Sequence, residues 1–136
     1  MHDAKDVSSP LVPSLKLTLH DGTLSTDATL YRQVLGSMQY LSLTRPDISF
    51  AVNKLSQFMH QPTITHWSAV KRVLRYLKGT SDHGILIRKT SPSTLHAYAD
   101  ADWATNFNDR TSTSGYVVFL GSNSVSWSSK KQSVRS

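Results

Sequence analysis

Two aspartates separated by one residue are the most chemically suggestive feature of this 136-residue chain. They lie in the segment His96-Ala97-Tyr98-Ala99-Asp100-Ala101-Asp102-Trp103. On an extended strand, positions 100 and 102 point to the same side. Paired there, two carboxylates could hold a hard divalent cation such as magnesium. Equally, acids at a strand end can stand in solvent or cap the loop that follows.

Other chemistries are excluded by composition. The chain has no cysteine, which removes disulfides, thiolate metal sites and cysteine nucleophiles. All nine acidic residues are aspartate, so no mechanism that needs a glutamate can be built from these residues. The six histidines show no metal-ligand spacing and are expected in surface positions or loops. No serine stands in a Gly-x-Ser-x-Gly turn, and the glycines are too isolated to cradle a phosphate.

The second suggestive feature is positive charge. Of the net charge of +6, a surplus of five falls between residues 47 and 93, concentrated in Lys71, Arg72, Arg75 and Lys78. Such a cluster attracts polyanions, nucleic acid above all, by Coulomb steering and counterion release. The same run also reads as the solvated face of an ordinary helix. Trp67, Trp103 and Trp127 could stack on bases, although Trp67 falls on an apolar stripe that suits a core.

These residues need elements to position them. Residues 1–26 are irregular, broken by Pro10, Pro13 and Asp21-Gly22. A helix is predicted after Thr26 or Asp27, with Leu30, Val34, Met38 and Leu41 on its buried stripe, ending before Arg45-Pro46. A second helix opens at Pro46-Asp47 and buries Ile48, Ala51, Val52, Leu55, Phe58 and Met59, with Pro62 closing it. A third runs from about Thr65 to Lys78, with Gly79 as a left-handed stop. Its inner side carries Trp67, Val70, Val73, Leu74 and Leu77, and its outer side carries Lys71, Arg75 and Lys78, with Arg72 at the flank. The period then changes from 3.6 to 2. Strands are predicted at Ile85 to Ile87, Leu95 to Ala99, Tyr116 to Leu120 and Val125 to Trp127, the last two forming a hairpin around Gly121. The expected fold is α+β: a small three-helix bundle followed by a mostly antiparallel sheet, divided as 1–26, 27–83 and 84–136. Residues 116–120 are apolar without alternation, which suits a strand covered on both faces. No apolar run approaches the ~20 residues of a membrane span, and Met1-His2-Asp3-Ala4 does not open a signal peptide.

Several stretches are recognisable together. Tyr31-Arg32, Gly36-Ser37, the run from Tyr40 through Thr44-Arg45-Pro46-Asp47-Ile48 to Val52, and the run from Ala69 to Thr80 resemble the copia-type retrotransposon Pol polyprotein. So do Asp100-Ala101-Asp102-Trp103-Ala104, the run from Asp109 to Tyr116, and Ser126 to Gln132. They occur in the family's order and cover nearly the whole chain.

The resemblance implies an identity for each part. Residues 1–26 correspond to the stretch just past the reverse-transcriptase palm, with Lys5-Asp6-Val7-Ser8-Ser9-Pro10 matching a family Lys-Pro-Val-x-Thr-Pro. Residues 27–83 correspond to the thumb and connection. Residues 84–136 correspond to the opening strands of an RNase H-like domain. It further implies that Asp100 is the first of four carboxylates that hold magnesium in the intact enzyme, with Asp102 a weaker candidate ligand. The other three acids are not matched here, so this chain is expected to be a truncated, catalytically inactive remnant with no cofactor of its own. By analogy with a thumb helix, Arg32, Gly36 and Tyr40, one helical stripe at four-residue spacing, would follow an RNA–DNA or DNA duplex. Lys71, Arg72, Arg75 and Lys78 would assist. Helix packing is the competing role for Gly36 and Tyr40. Thr105 in place of the family's Gly, and the short run Gln132-Ser133-Val134-Arg135, depart from the family pattern; the short run suggests a decayed reading frame, with a natural variant as the alternative.

Overall fold

The structure, a computed structural model, describes residues 5–89, 92–102 and 111–132. Three helices precede a three-stranded sheet: α1 (Ala28–Leu41), α2 (Ser49–Ser56), α3 (Ile64–Gly79), β1 (Leu95–Asp102), β2 (Thr113–Leu120) and β3 (Asn123–Lys131). A single 3-10 turn, Pro46–Ile48, leads into α2. The mixed helix-and-sheet architecture agrees with the sequence reading.

Helix α1 begins where its cap predicts. The Asp27 carboxylate accepts the backbone N–H groups of Thr29 and Leu30 at 2.9 and 3.1 Å, occupying two amides that the helix cannot bond itself. Its buried stripe is Tyr31, Leu35 and Met38, not the predicted Leu30, Val34, Met38 and Leu41. Leu30 and Leu41 are exposed, and Val34 packs only against the margin of the core. The helix is rotated toward Tyr31 because that ring is fully buried with its hydroxyl donated to the Leu55 carbonyl at 2.6 Å. An aromatic residue whose polar tip finds a partner inside outcompetes a leucine for the core.

The predicted second-helix face holds. Ile48, Ala51, Val52, Leu55 and Phe58 are buried and Met59 packs beside them, although the regular helix stops at Ser56. Helix α3 contributes Ala69, Val70 and Val73, flanked by Trp67, Leu74 and Leu77. Gly79 is not a left-handed stop, since only Gly22 and Gly121 have positive φ among the described residues. The Thr80 N–H instead reaches back to the Tyr76 carbonyl at 3.0 Å, and the Thr80 hydroxyl bonds the same carbonyl at 2.8 Å. The last carbonyls are satisfied without a glycine turn.

The sheet is an antiparallel meander in the order β1-β2-β3. Residues 85–87 form no strand, and Leu86 and Ile87 are left exposed. Beside them, the Asn123 side chain bonds both the N–H and the carbonyl of Arg88, at 2.7 and 2.9 Å, in place of a ladder. The buried hydrophobic cluster runs from Leu17 to Val73, so every member lies N-terminal to the sheet. Strand β3 rests against the helices, where the Trp127 indole N–H donates to the Ser42 carbonyl at 3.0 Å. No described helix is long and apolar enough to cross a membrane.

Candidate nucleic-acid interface and strand carboxylate

Helix α1 turns its predicted contact stripe outward, as a helix with Tyr31, Leu35 and Met38 buried must. Tyr40 is 79% exposed, and a Cβ built on Gly36 would meet nothing within 4 Å. Neither residue packs against another helix, so the competing packing role finds no counterpart in the fold. Arg32 is already engaged. Its Nε donates to the Met59 carbonyl at 2.9 Å, tying α1 to the loop after α2.

The basic face of α3 divides in a similar way. Lys71 is exposed and Arg75 half-exposed, both opposite the buried Val70 and Val73. Arg72 is turned back onto the N-terminal segment, with Nε 3.2 Å from the Ser9 carbonyl and a terminal nitrogen 3.1 Å from the Ser9 hydroxyl. Lys78 is exposed on the last turn. Each stripe lies opposite its own helix's buried face, so both point away from the shared core.

Two polar networks, neither anticipated as such in the sequence, hold these helices in place. The first is built on Thr44-Arg45-Pro46-Asp47. Arg45, buried at 7% exposure, makes a two-pronged ion pair with Asp47 at 3.0 and 2.8 Å and donates to the carbonyl and hydroxyl of Thr80 at 3.1 and 2.8 Å. Tyr76 donates its hydroxyl to Asp47 at 2.7 Å. The link between α1 and α2 is thereby pinned to the end of α3. The Arg45 guanidinium holds the Asp47 carboxyl below the usual carboxylate range, and the ion pair raises the Arg45 pKa in turn. A proline that opens a helix beside an acid is the visible signal, but only the folded chain brings Tyr76 and Thr80 to it.

The second network centres on His66, which is wholly buried and not in the surface position expected of it. Its Nδ1 accepts the Thr63 N–H at 3.0 Å, capping α3, and its ring stacks on Phe58 with centroids 4.0 Å apart. Because Nδ1 accepts, Nε2 carries the proton and donates to the Thr18 carbonyl at 2.8 Å. Burial pushes the His66 pKa down. Thr63 in turn donates its hydroxyl to Asp21 at 2.8 Å, whose carboxyl is held well below its ordinary range, chiefly by the Thr23 hydroxyl. A Thr three residues before a His is a capping-box variant with His in the usual Glu or Gln position.

Asp100 lies on β1, its backbone paired with Gly115, and its side chain is exposed. It borders a shallow cleft of about 370 Å³ with Pro46, Phe50, Tyr98 and Tyr116. Its Oδ1 accepts the Ala101 N–H at 2.8 Å. Asp102 is the last residue of the strand, paired with Thr113. Trp103 and Asp109 lie outside the described residues. Among the described residues no group of three or more His or Asp side chains is placed to hold a metal ion. By itself the Asp100 carboxylate, with one oxygen given to its neighbour's amide, supplies too few ligands for magnesium, which draws on several oxygens in near-octahedral array.

The fold and these surfaces define a class: a helical module with an outward basic face, joined to an antiparallel meander that carries an exposed strand carboxylate. No family model matches the chain, and no solved structure does. Curated relatives do. The chain is 59% identical over 132 residues to the retrovirus-related Pol polyprotein from transposon RE2 of Arabidopsis thaliana, and 58% identical to that from transposon RE1, covering 97% of this chain and 9% of each relative. It is also 48% identical over 103 residues to the secreted RxLR effector protein 161 of Plasmopara viticola, covering 75% of this chain and 72% of the effector. The chain belongs to the family of retrovirus-related Pol polyproteins from copia-type transposons. It spans about a tenth of the length of those polyproteins.

Proposed function

We propose that this chain is the part of a copia-type Pol running from the end of the reverse transcriptase into an RNase H-like sheet, and that it has no catalytic activity by itself. The observation that carries the reading is Asp100: an exposed carboxylate on the first strand of a meander, with no group of three metal-ligating side chains around it among the described residues. Hydrolysis of an RNA–DNA hybrid by two metal ions needs several carboxylates to fix both ions. With no glutamate in the sequence and one expected ligand in place, these residues bring to such a centre a single part.

The test is reconstruction. Joining to this chain the segment that follows the matched region in the RE2 polyprotein is expected to yield magnesium-dependent cleavage of an RNA–DNA hybrid, lost on Asp100→Asn. Equal cleavage with and without that substitution removes Asp100 from the site.

A second reading is a nucleic-acid-binding module. Open space over Gly36 and the outward Tyr40, Lys71 and Arg75 favour it, and a relative of similar length, the secreted effector, shows that this region occurs outside a long polyprotein. This reading predicts affinity for RNA–DNA or DNA duplex that falls steeply with salt, and a shallower salt slope in Lys71→Ala/Arg75→Ala. An unchanged slope makes the patch a solvated face.

A further inference from the structure

An N-terminal strap lies along the outside of α3. Arg72 donates from Nε to the Ser9 carbonyl at 3.2 Å and from a terminal nitrogen to the Ser9 hydroxyl at 3.1 Å. At the other end of the helix, a Cβ built on Gly79 would stand 3.1 Å from the Asp6 carboxyl carbon, so the strap passes close over the last turn. Three residues of extended chain and seven of helix each span about 10 Å, so residues 6–9 fit α3 as an extended segment laid antiparallel to it. Beyond Pro10, Leu11 packs against the core and anchors the strap.

The contact at Ser9 is electrically incomplete. Among the described residues no carboxylate pairs with Arg72, and Lys71 and Arg75 add charge of the same sign nearby on the helix. Ser9 offers the guanidinium only uncharged oxygens, at distances longer than the roughly 2.7–2.9 Å of a charge-assisted bond. The hydroxyl's own proton goes to the Leu11 carbonyl at 3.0 Å. Pro10 restricts the residue before it to extended backbone. Ser9 is half-buried, but residues 5–16 form no helix or strand, so a kinase reaches it by lifting the strap without unfolding either. A serine in extended chain, followed by proline and faced by an arginine, offers a phosphoryl group both an acceptor and a cation to hold it.

We propose that Ser9 is a phosphorylation site for a proline-directed protein kinase, and that Arg72 captures the phosphate and fastens the strap to α3. In the transfer, Ser9 Oγ bonds to the γ-phosphorus of ATP as that phosphorus parts from the β-phosphate oxygen. ADP leaves, and the hydroxyl proton passes to the kinase's base. The bond to the Leu11 carbonyl is lost with that proton. In return, phosphate oxygens accept from the Arg72 fork, with Arg75 one turn along the same side, in charge-assisted bonds about twice as strong as neutral ones. The phosphate carries about two negative charges at neutral pH, so the α3 face loses about two of its positive charges. The inference stands apart from the nuclease and binding readings, since it rests on the strap and α3 alone.

The experiment treats the full chain with a proline-directed kinase and ATP, and locates the phosphate by tandem mass spectrometry. A Ser91→Ala background is used because Ser91-Pro92 is the other Ser-Pro pair in the sequence. Modification at Ser9 is expected; none there, or modification of Ser8 alone, overturns the inference. In the modified chain, amide exchange across residues 6–11 should slow about tenfold. Phosphorus NMR should show the second ionisation of the phosphate displaced below its ordinary value of about 6. Both effects should vanish in Arg72→Gln, and their persistence there, or their absence from the parent, overturns the capture by Arg72. If Arg72→Gln does not fold, the parent's phosphate titrated in urea supplies the comparison, and a midpoint that unfolding leaves in place overturns it.

Discussion

Arg45 and His66 carry more of this fold than any residue named from the sequence as a functional candidate. Removing the Arg45 guanidinium in Arg45→Ala takes the ion-pair partner from Asp47, leaving it the Tyr76 hydroxyl, and takes the Arg45 donor from the Thr80 carbonyl, and should cost about 2–3 kcal/mol in urea denaturation. The Asp47 part of that stability has a pH signature. Its folded pKa is depressed, so the contribution is full above the unfolded value of about 4 and disappears as pH falls through the folded value. The stability gap between the parent and Asp47→Asn should therefore narrow as pH falls from about 6 to about 3. A constant gap would show that Asp47 acts through packing alone. His66 is also depressed, by burial, so the folded state prefers the neutral ring and the unfolded state takes up the proton first. Stability should fall by up to about 1 kcal/mol between pH 7.5 and 5.5 in the parent. His66→Gln, which can still accept the Thr63 N–H, should show no such fall in the same denaturation series. These roles were hidden in the sequence because each depends on distant partners: Thr18 for His66, and Tyr76 and Thr80 for Arg45. The Asp27 cap was legible because its partners lie two and three residues away.

Among the elements, α1 gives the sharpest test of the binding stripe. A glycine inside a helix is destabilising by about 0.5–1 kcal/mol relative to alanine. Nothing in the fold occupies the space over Gly36. Gly36→Ala should therefore raise stability by about that amount, read as a shift in denaturation midpoint. If the open space serves close approach of a duplex backbone, the same variant should bind duplex more weakly in a fluorescence-anisotropy titration, gaining stability and losing affinity together. Stabilisation with unchanged affinity would leave the glycine without a binding role. The existence of α1 and α3 was legible because a 3.6-residue apolar period over fourteen to sixteen residues leaves little choice, whereas α2, at eight residues, stops well short of the Pro62 that the sequence offered as its end. The facing of α1 was not, because a buried tyrosine with an internal acceptor looks from sequence like a surface residue. Ile85 to Ile87 show the converse error. Local β-propensity makes a strand only where the segment is also laid alongside a neighbour, and here the backbone of the adjoining Arg88 is bonded by the Asn123 side chain instead.

At the scale of the molecule, the helices hold the core and the sheet supplies surface. The buried cluster ends at Val73, while Leu95, Tyr98, Tyr116, Leu120 and Val125 remain exposed on the strands. The candidate carboxylate stands on the part of the molecule with the least buried apolar support, beside an open cleft. The family was legible from ordered motifs, since these fix identity without reference to packing. Composition excludes any glutamate-dependent site, since a residue type missing from the whole sequence is missing from every site. The central claim is that one strand carboxylate does not make a nuclease. Its most direct measurement is cleavage of a labelled RNA–DNA hybrid by the purified chain in magnesium. The account predicts no cutting above that of an Asp100→Asn control; magnesium-dependent cutting that the Asp100→Asn substitution abolishes would contradict it.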